Sequence, residues 1–186
     1  MRMASERRIE ATPEAVWRGL NDPEILRQSV PGCETIERLS ETELAAEVIA
    51  KVGPVKARFA GRLTLSDLDP PHGYRISGEG QGTAGFARGG AVVRLRPDGG
   101  QTVLRYEVEA TVGGKLAQLG SRLIDAAAGK FADDFFERFS SLVEPEPSIE
   151  NEPTASPSRG LHPWVWVPGL IAIVLLFLYL FAQLRG

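Results

Sequence analysis

The segment TVLRYEVEATVGGKLAQLGSRLIDAAAGKFADDFFERFSSL, residues 102–142, predicts the fold because its periodicity changes at Gly113-Gly114. Before the glycines, apolar and charged residues alternate, as in a strand with one buried face. After them, apolar residues recur at helical spacing from Leu116 to Phe139. We therefore expect a last strand over about 102–112 and one long helix from about Lys115 to Leu142.

Two short helices and a series of strands are expected before that segment. Thr12-Pro13 and Asp22-Pro23 each place a capping residue before a proline, which is typical of a helix start. Strands are expected at about 3–10, 34–39, 43–52, 55–68, 74–82 and 86–96, separated by turns rich in glycine and proline. Gly89-Gly90 predicts a β-bulge, which leaves the facing of Phe86 open. The pattern predicts an α+β domain in which an antiparallel sheet packs on a long C-terminal helix.

The sheet face that is predicted to meet this helix carries unusually small residues. Gly61, Gly78 and Gly80 fall at inward positions, together with several alanines. Protein interiors leave few voids, so these positions either let the helix approach closely or leave space. We expect an apolar hollow between sheet and helix that suits a nonpolar guest. The alternative is an ordinary core that large neighbouring side chains fill.

Composition excludes several functional classes. The one cysteine, Cys33, rules out an internal disulfide framework and a multi-cysteine metal site within one chain. The two histidines, His72 and His162, lie in a turn and in a proline-rich segment, and we find no catalytic cluster with diagnostic spacing. The formal charge of −3 argues against a nucleic-acid-binding protein, which needs a basic face. We therefore expect no enzymatic activity, no metal and no nucleic-acid partner.

The C-terminal part of the chain divides into a linker and a membrane anchor. Residues 144–163 contain five prolines and four glutamates, a composition that predicts a flexible tether. Residues 164–182 are 19 residues without a formal charge, enough for a helix to span a bilayer core of ~30 Å. The N-terminus has no apolar signal-peptide segment. We expect a domain at 1–143 facing the cytoplasm, a linker at 144–163, and a single-pass transmembrane helix at 164–186 that anchors the protein in the cell membrane.

Four segments carry a resemblance to a known family. PGCETIE (31–37), KVGPVKARFAGRLTLSDLDPP (51–71), YRISGEGQGTAGFARGGAVVRL (74–95) and VGGKLAQLGSRLIDAAAGKFADDFFERF (112–139) resemble the carbon monoxide dehydrogenase G-subunit family of the START-like, SRPBCC superfamily. The resemblance covers nearly all of residues 1–140. It implies a helix-grip fold, in which a curved antiparallel sheet surrounds a long C-terminal helix and a hydrophobic cavity. It also implies recruitment of a carbon monoxide dehydrogenase or related molybdenum hydroxylase to the membrane and handling of a lipidic quinone.

The hollow and the resemblance together lead to one hypothesis. The domain takes a quinone, menaquinone or ubiquinone, from the bilayer and presents it to the bound dehydrogenase, with no covalent cofactor. The loops at Pro31-Gly32-Cys33 and Gly82–Gly90 are expected to form the mouth. The residues expected to line the cavity are Phe59, Gly61, Tyr74, Gly78, Gly80, Phe86, Tyr106, Leu119, Leu123, Phe131 and Phe135.

Two other functions fit the same sequence. The first is a membrane-recruitment adapter that carries no ligand. The second is an enzyme of the polyketide-cyclase kind that uses the same cavity. The enzyme requires polar groups that converge inside the hollow. Tyr74 and Tyr106 are the only obvious phenols at inward positions.

Overall fold

A computed structural model describes residues 1–144, which form one sheet with three α-helices. The seven strands are all antiparallel to their neighbours and lie in the order β1-β7-β6-β5-β4-β3-β2. The elements are β1 (Arg2–Ile9), α1 (Pro13–Leu20), α2 (Pro23–Ser29), β2 (Cys33–Arg38), β3 (Glu43–Val52), β4 (Val55–Asp69), β5 (Gly73–Gly82), β6 (Gly85–Asp98), β7 (Gln101–Gly113), a 3₁₀ turn (Ala117–Leu119) and α3 (Ser121–Val143).

The two short helices begin where the sequence predicts. The Thr12 hydroxyl accepts a hydrogen bond from the backbone N–H of Ala15 at 3.4 Å. The Asp22 carboxylate accepts from the N–H groups of Glu24 and Ile25 at 2.8 and 3.3 Å. Each cap satisfies donors that have no partner within the helix, and the following proline has no N–H to satisfy.

The helices α1 and α3 pack on one side of the curved sheet, which we call the inner face. Its main apolar cluster joins Val16 and Leu20 of α1, Phe139 of α3, and strand residues such as Ile9 and Leu104. Phe139 is 0% exposed and stacks on Phe135 with ring centroids 5.6 Å apart. The C-terminal half of α3 therefore closes one end of the inner face.

A second, smaller cluster closes the other end. Leu116 and Leu119 of the segment before α3 pack with Ala57 and Ala84, and with partly buried strand residues that include Phe59. The N–H of Leu116 donates to the Ala84 carbonyl at 3.1 Å. Two separate apolar clusters thus hold the helical side of the domain against the sheet.

Two details of the sequence prediction are wrong. The helix α3 begins at Ser121 instead of Lys115, because Gly120 adopts φ +82° and separates α3 from the 3₁₀ turn. Gly89-Gly90 forms no bulge, since the pairing of β6 with both neighbours runs through the two glycines without a shift. Regular pairing therefore determines which β6 side chains face inward.

The proposed anchor lies outside the described residues. Within residues 1–144, no helix combines the length and the apolar character needed to cross a bilayer. The linker and the transmembrane segment predicted for residues 144–186 stay predictions.

Phe139 is expected to dominate the stability of the domain. Phe139→Ala should lower the free energy of unfolding by about 3–5 kcal/mol, because it leaves a cavity in the main cluster. The control is Phe131→Ala in the same helix, where the ring is 41% exposed and the loss should stay well below that range. Urea unfolding curves of the two variants measure the difference, and equal losses would contradict the packing described here.

Candidate functional site

A band of very small residues crosses the inner face between the two apolar clusters. One cross-strand row runs Ala46–Gly61–Gly80–Ala87 over four strands. The adjacent row runs Gly78–Gly89–Ala110. We call these seven residues the glycine–alanine band. None of the seven is buried, although they lie on the side of the sheet that carries α3.

Helix and sheet leave space over this band. A Cβ added at Gly80 would meet only backbone atoms of β4, at 3.6 and 3.8 Å, and no atom of α3 within 4 Å. A Cβ added at Gly129, in the middle of α3, would meet nothing within 4 Å. Neither glycine adopts a backbone conformation that excludes other residues. The space therefore results from absent side chains on both the strand and the helix.

The cavity-lining residues predicted from sequence fall into three groups. Gly61, Gly78 and Gly80 belong to the band. Phe59 and Leu119 lie at one end in the second cluster, and Tyr74, Tyr106 and Phe135 lie at the other end in the main cluster. Leu123 and Phe131 are exposed on α3, at 45% and 41%. The structure thus brings the glycines together in the middle and the aromatic residues to the ends.

Phe86 does not line the inner face. It pairs with Gln81 and Gly113, both at outer positions, and its side chain is 40% exposed. Its ring lies over Gly113, where an added Cβ would come within 2.2 Å of a ring carbon of Phe86. The sequence prediction fails because no bulge interrupts β6, so Ala87 faces inward instead.

Only one of the two predicted mouth loops is a loop. Residues 82–90 form the end of β5, a tight turn and the start of β6, and Ala84 in the turn is buried against Leu116. Gly32 adopts φ +73° and its carbonyl accepts a hydrogen bond from the N–H of Ile49 at 2.8 Å, which ties the loop before β2 to β3. Burial raises the pKa of the Cys33 thiol that follows.

The phenol of Tyr74 is part of the core. Its ring meets Trp17 of α1 edge-on, with ring centroids 5.4 Å apart. Burial raises its pKa, so the hydroxyl stays protonated at physiological pH. Tyr106 stacks on Phe136 at 5.3 Å. Both rings pack against helices at the end of the inner face that the main cluster closes, away from the glycine–alanine band.

Arg7 is a polar residue of the inner face that the sequence analysis missed. It lies on β1 opposite Leu104, and its guanidinium forms an ion pair with Asp133 of α3. The guanidinium carbon lies 5.9 Å from the centre of the Phe136 ring. Its Nε is buried and has no hydrogen-bond partner within residues 1–144. The alternation of β1 contains the signal, since Arg7 shares the parity of Met3 and buried Ile9.

Comparison with known proteins identifies the family and the fold. The family model described as the G subunit of carbon monoxide dehydrogenase (CoxG) matches residues 6–144. A conserved protein from Geobacillus kaustophilus is similar, with 29% identity and a TM-score of 0.74 over 77% of this chain and 95% of that one. The search of curated proteins found no match.

More distant structures share the fold alone. A START superfamily protein from Mycobacterium smegmatis is 14% identical with a TM-score of 0.60, over 77% of this chain and 97% of that one. Zhui aromatase/cyclase from Streptomyces sp. R1128 is 13% identical with a TM-score of 0.58, over 77% of this chain and 93% of that one. The domain is therefore START-like.

The space beside α3 is expected to accept a larger side chain. Gly129→Leu should leave the free energy of unfolding unchanged or raise it by up to about 1 kcal/mol, because it removes a helical glycine without a clash. The control is Gly19→Leu in α1, where an added Cβ would lie 2.5 Å from Cγ1 of Val143, and overpacking should cost about 1–3 kcal/mol. Thermal or urea unfolding measures both, and a large loss at Gly129 would mean that the space is filled.

Proposed function

Because this chain belongs to the G-subunit family of carbon monoxide dehydrogenase, we propose that it carries a lipidic quinone for a membrane-associated molybdenum hydroxylase of the carbon monoxide dehydrogenase type. The domain accepts the quinone from the bilayer and presents it to the enzyme as electron acceptor. The protein itself performs no chemistry, and the same chain recruits the enzyme to the membrane.

The glycine–alanine band is the observation that supports this function best. Apolar surfaces without opposing atoms lose the dispersion contacts that a filled core makes. An isoprenoid tail laid along the band would restore them, and each buried CH₂ contributes about 0.8 kcal/mol. Since the band crosses five strands at ~4.8 Å spacing, an extended apolar chain can follow it from one strand to the next.

Arg7 is suited to hold the polar end of the same ligand. A quinone combines an apolar tail with carbonyl oxygens, which accept hydrogen bonds. The buried Nε of Arg7 is a donor without a partner within residues 1–144, and such a donor costs about 1–3 kcal/mol when it stays unsatisfied. We place a quinone carbonyl at the exposed part of this guanidinium, whose side chain is 36% exposed and is held by Asp133. Arg7 lies opposite Leu104, six residues along β7 from Ala110 of the band, a distance of ~20 Å that a long isoprenoid tail can span.

The C-terminal residues are assigned to membrane attachment. The uncharged stretch at 164–182 anchors the chain in the cell membrane, and the domain faces the cytoplasm on the linker at 144–163. Tethering raises the effective concentration of the domain near both the bilayer and the membrane-bound enzyme, without any added affinity.

Filling the space over the band should separate quinone delivery from recruitment. Gly80→Phe is expected to abolish quinone binding and electron transfer to the membrane pool, while the dehydrogenase stays in the membrane fraction. Gly80→Ala is the control, because its Cβ would make only ordinary contacts. Gly78 is unsuitable, since a Cβ there would lie 2.5 Å from the Leu63 side chain and 2.9 Å from a backbone oxygen.

The measurements are lipid extraction with mass spectrometry of the purified full chain, and quinone reduction in membranes that contain the dehydrogenase. Absence of co-purified or exchangeable quinone from the unmodified chain would overturn the carrier function. If Gly80→Phe folds and electron transfer is unaffected, the protein acts as a pure adapter.

Arg7→Met should weaken quinone binding about tenfold or more, because methionine has a side chain of similar length but no charged hydrogen-bond donor. Binding of an isoprenoid hydrocarbon with the same tail should change little, since it has no carbonyl. Tryptophan fluorescence titration with both probes tests this, with circular dichroism to check the fold. Equal weakening for the two probes would show that Arg7 acts only through the packing of β1 on α3.

A further inference from the structure

The outer face of the three central strands is strongly basic, although the domain as a whole is balanced in charge. Residues 1–143 carry 19 Lys and Arg against 20 Asp and Glu. On the outer positions 56–66 of β4, 75–81 of β5 and 86–96 of β6, however, the only acidic residue is Glu79. The basic residues there are all exposed: Lys56, Arg58, Arg62, Arg75, Arg88, Arg94 and Arg96. We call these seven residues the basic stripe.

Most residues of the basic stripe form no ion pair within the described chain, although Glu79 lies opposite both Arg62 and Arg88. Arg58 pairs with Glu34 and Glu47, and Arg75 pairs with Asp67. The other five form no ion pair with any of residues 1–144. Two residues of the stripe face a like charge on a neighbouring strand, since Lys56 pairs with Lys51 and Arg94 pairs with Arg105, and such pairs destabilise the isolated domain slightly. A partner that supplies negative charge would turn this repulsion into a favourable contribution to binding.

The basic stripe also borders a depression in the outer face. A pocket of about 800 Å³ lies there, with small side chains such as Thr64 and Ser77 among its lining. Arg62 and Arg88 line it on either side of Glu79, and paired-strand geometry places these two positions ~10 Å apart. A protruding element of the partner would present one carboxylate to each guanidinium, on either side of Glu79, because guanidinium groups bind carboxylates with two parallel hydrogen bonds.

The charges on both sides of the stripe favour a protein over a lipid surface. Glu43 and Glu47 of β3 flank it on one side, and Glu107 and Glu109 of β7 flank it on the other, all at outer positions. Glu47 pairs with Arg58, Glu107 with Arg105 and Glu109 with Arg2, so the flanks carry alternating charges and not the uniform positive charge that an anionic bilayer attracts. A folded partner can place acidic groups opposite the stripe and basic groups opposite the flanks, which is the usual form of complementarity at protein interfaces.

We infer that the outer face of β4, β5 and β6 is a docking surface for an acidic protein surface, and that the partner is the dehydrogenase. This inference rests on the proposed function for the identity of the partner. Docking through the outer face leaves the inner face, with α3 and the glycine–alanine band, free to exchange a ligand. The outer face then serves recruitment while the inner face loads, and delivery of the quinone requires a further contact between the inner face and the enzyme.

The test uses charge reversal in the full-length chain. Arg62→Glu combined with Arg88→Glu should weaken binding to the purified dehydrogenase at least tenfold and reduce the salt dependence of the affinity. Arg122→Glu combined with Arg138→Glu is the matched control, because both arginines are exposed on α3 and the net charge changes equally. Biolayer interferometry at two salt concentrations measures the affinities, and thermal melts confirm that both double variants fold.

The outcomes separate this inference from the proposed function. If the unmodified chain binds the dehydrogenase and both double variants bind equally well, the docking surface is wrong and recruitment stands. If the unmodified chain does not bind the enzyme, the docking surface and the recruitment of the enzyme are both wrong. Quinone extraction then tests the carrier function separately. Weaker binding of the Arg62→Glu, Arg88→Glu variant to vesicles that contain phosphatidylglycerol, with unchanged binding to pure phosphatidylcholine vesicles through the anchor and intact dehydrogenase binding, would overturn the inference in favour of a lipid surface.

Discussion

The partial packing of α3 on the sheet is the constraint on which the rest of the structure depends. Its C-terminal half is held by Phe139, which is fully buried between α1 and the strands. Its N-terminal half follows Gly120, whose φ of +82° lets the chain turn out of the 3₁₀ segment that packs on the other end of the sheet. A helix fixed at one end and redirected at the other can stand away from the sheet between them.

The glycine and alanine residues of the band leave the gap between α3 and the sheet unfilled. Large side chains over the middle of the inner face would fill the gap, because protein interiors reach the density of organic crystals. The first row of the band places small residues on four adjacent strands, whereas the Leu63 side chain lies beside Gly78 in the second row, so the space is widest at Gly80. The aromatic residues that we expected around the ligand lie instead in the closed ends, where they stabilise the fold. An apolar guest along the band would therefore meet mostly backbone and methyl groups.

The two faces of the sheet divide the proposed work between them. The inner face carries the band and one buried donor, Arg7, whereas the outer face carries the basic stripe and its acidic flanks. Period-two alternation keeps the two sets apart although they occupy the same strands. In β5, for example, Gly78 and Gly80 face inward while Ser77 and Glu79 face outward. The two sets meet only through Gly78, Gly89 and Ala110 of the band, which also line the outer depression.

Local patterns alone predict much of this domain. The caps at Thr12 and Asp22, the bounds of most strands and the inward parity of Gly61, Gly78 and Gly80 follow from residues near each other in the chain. The family also follows from short segments. Phe86 and Arg7 show the limit of that approach. The first was misplaced because a glycine pair resembles a bulge, and the second was missed because a charged side chain at an inward position contradicts the simple pattern.

Everything that depends on neighbours across the sheet required the tertiary structure. Strand register joins Ala46, Gly61, Gly80 and Ala87 into one row and gathers seven basic residues from three strands. The packing of α3 brings Asp133 to Arg7, which precedes it by more than a hundred residues. The physical reason is that alternation and capping depend on contacts a few residues apart, whereas register and helix placement depend on long-range packing. The sequence by itself therefore determined the elements and their faces, and the tertiary structure decided which residues meet.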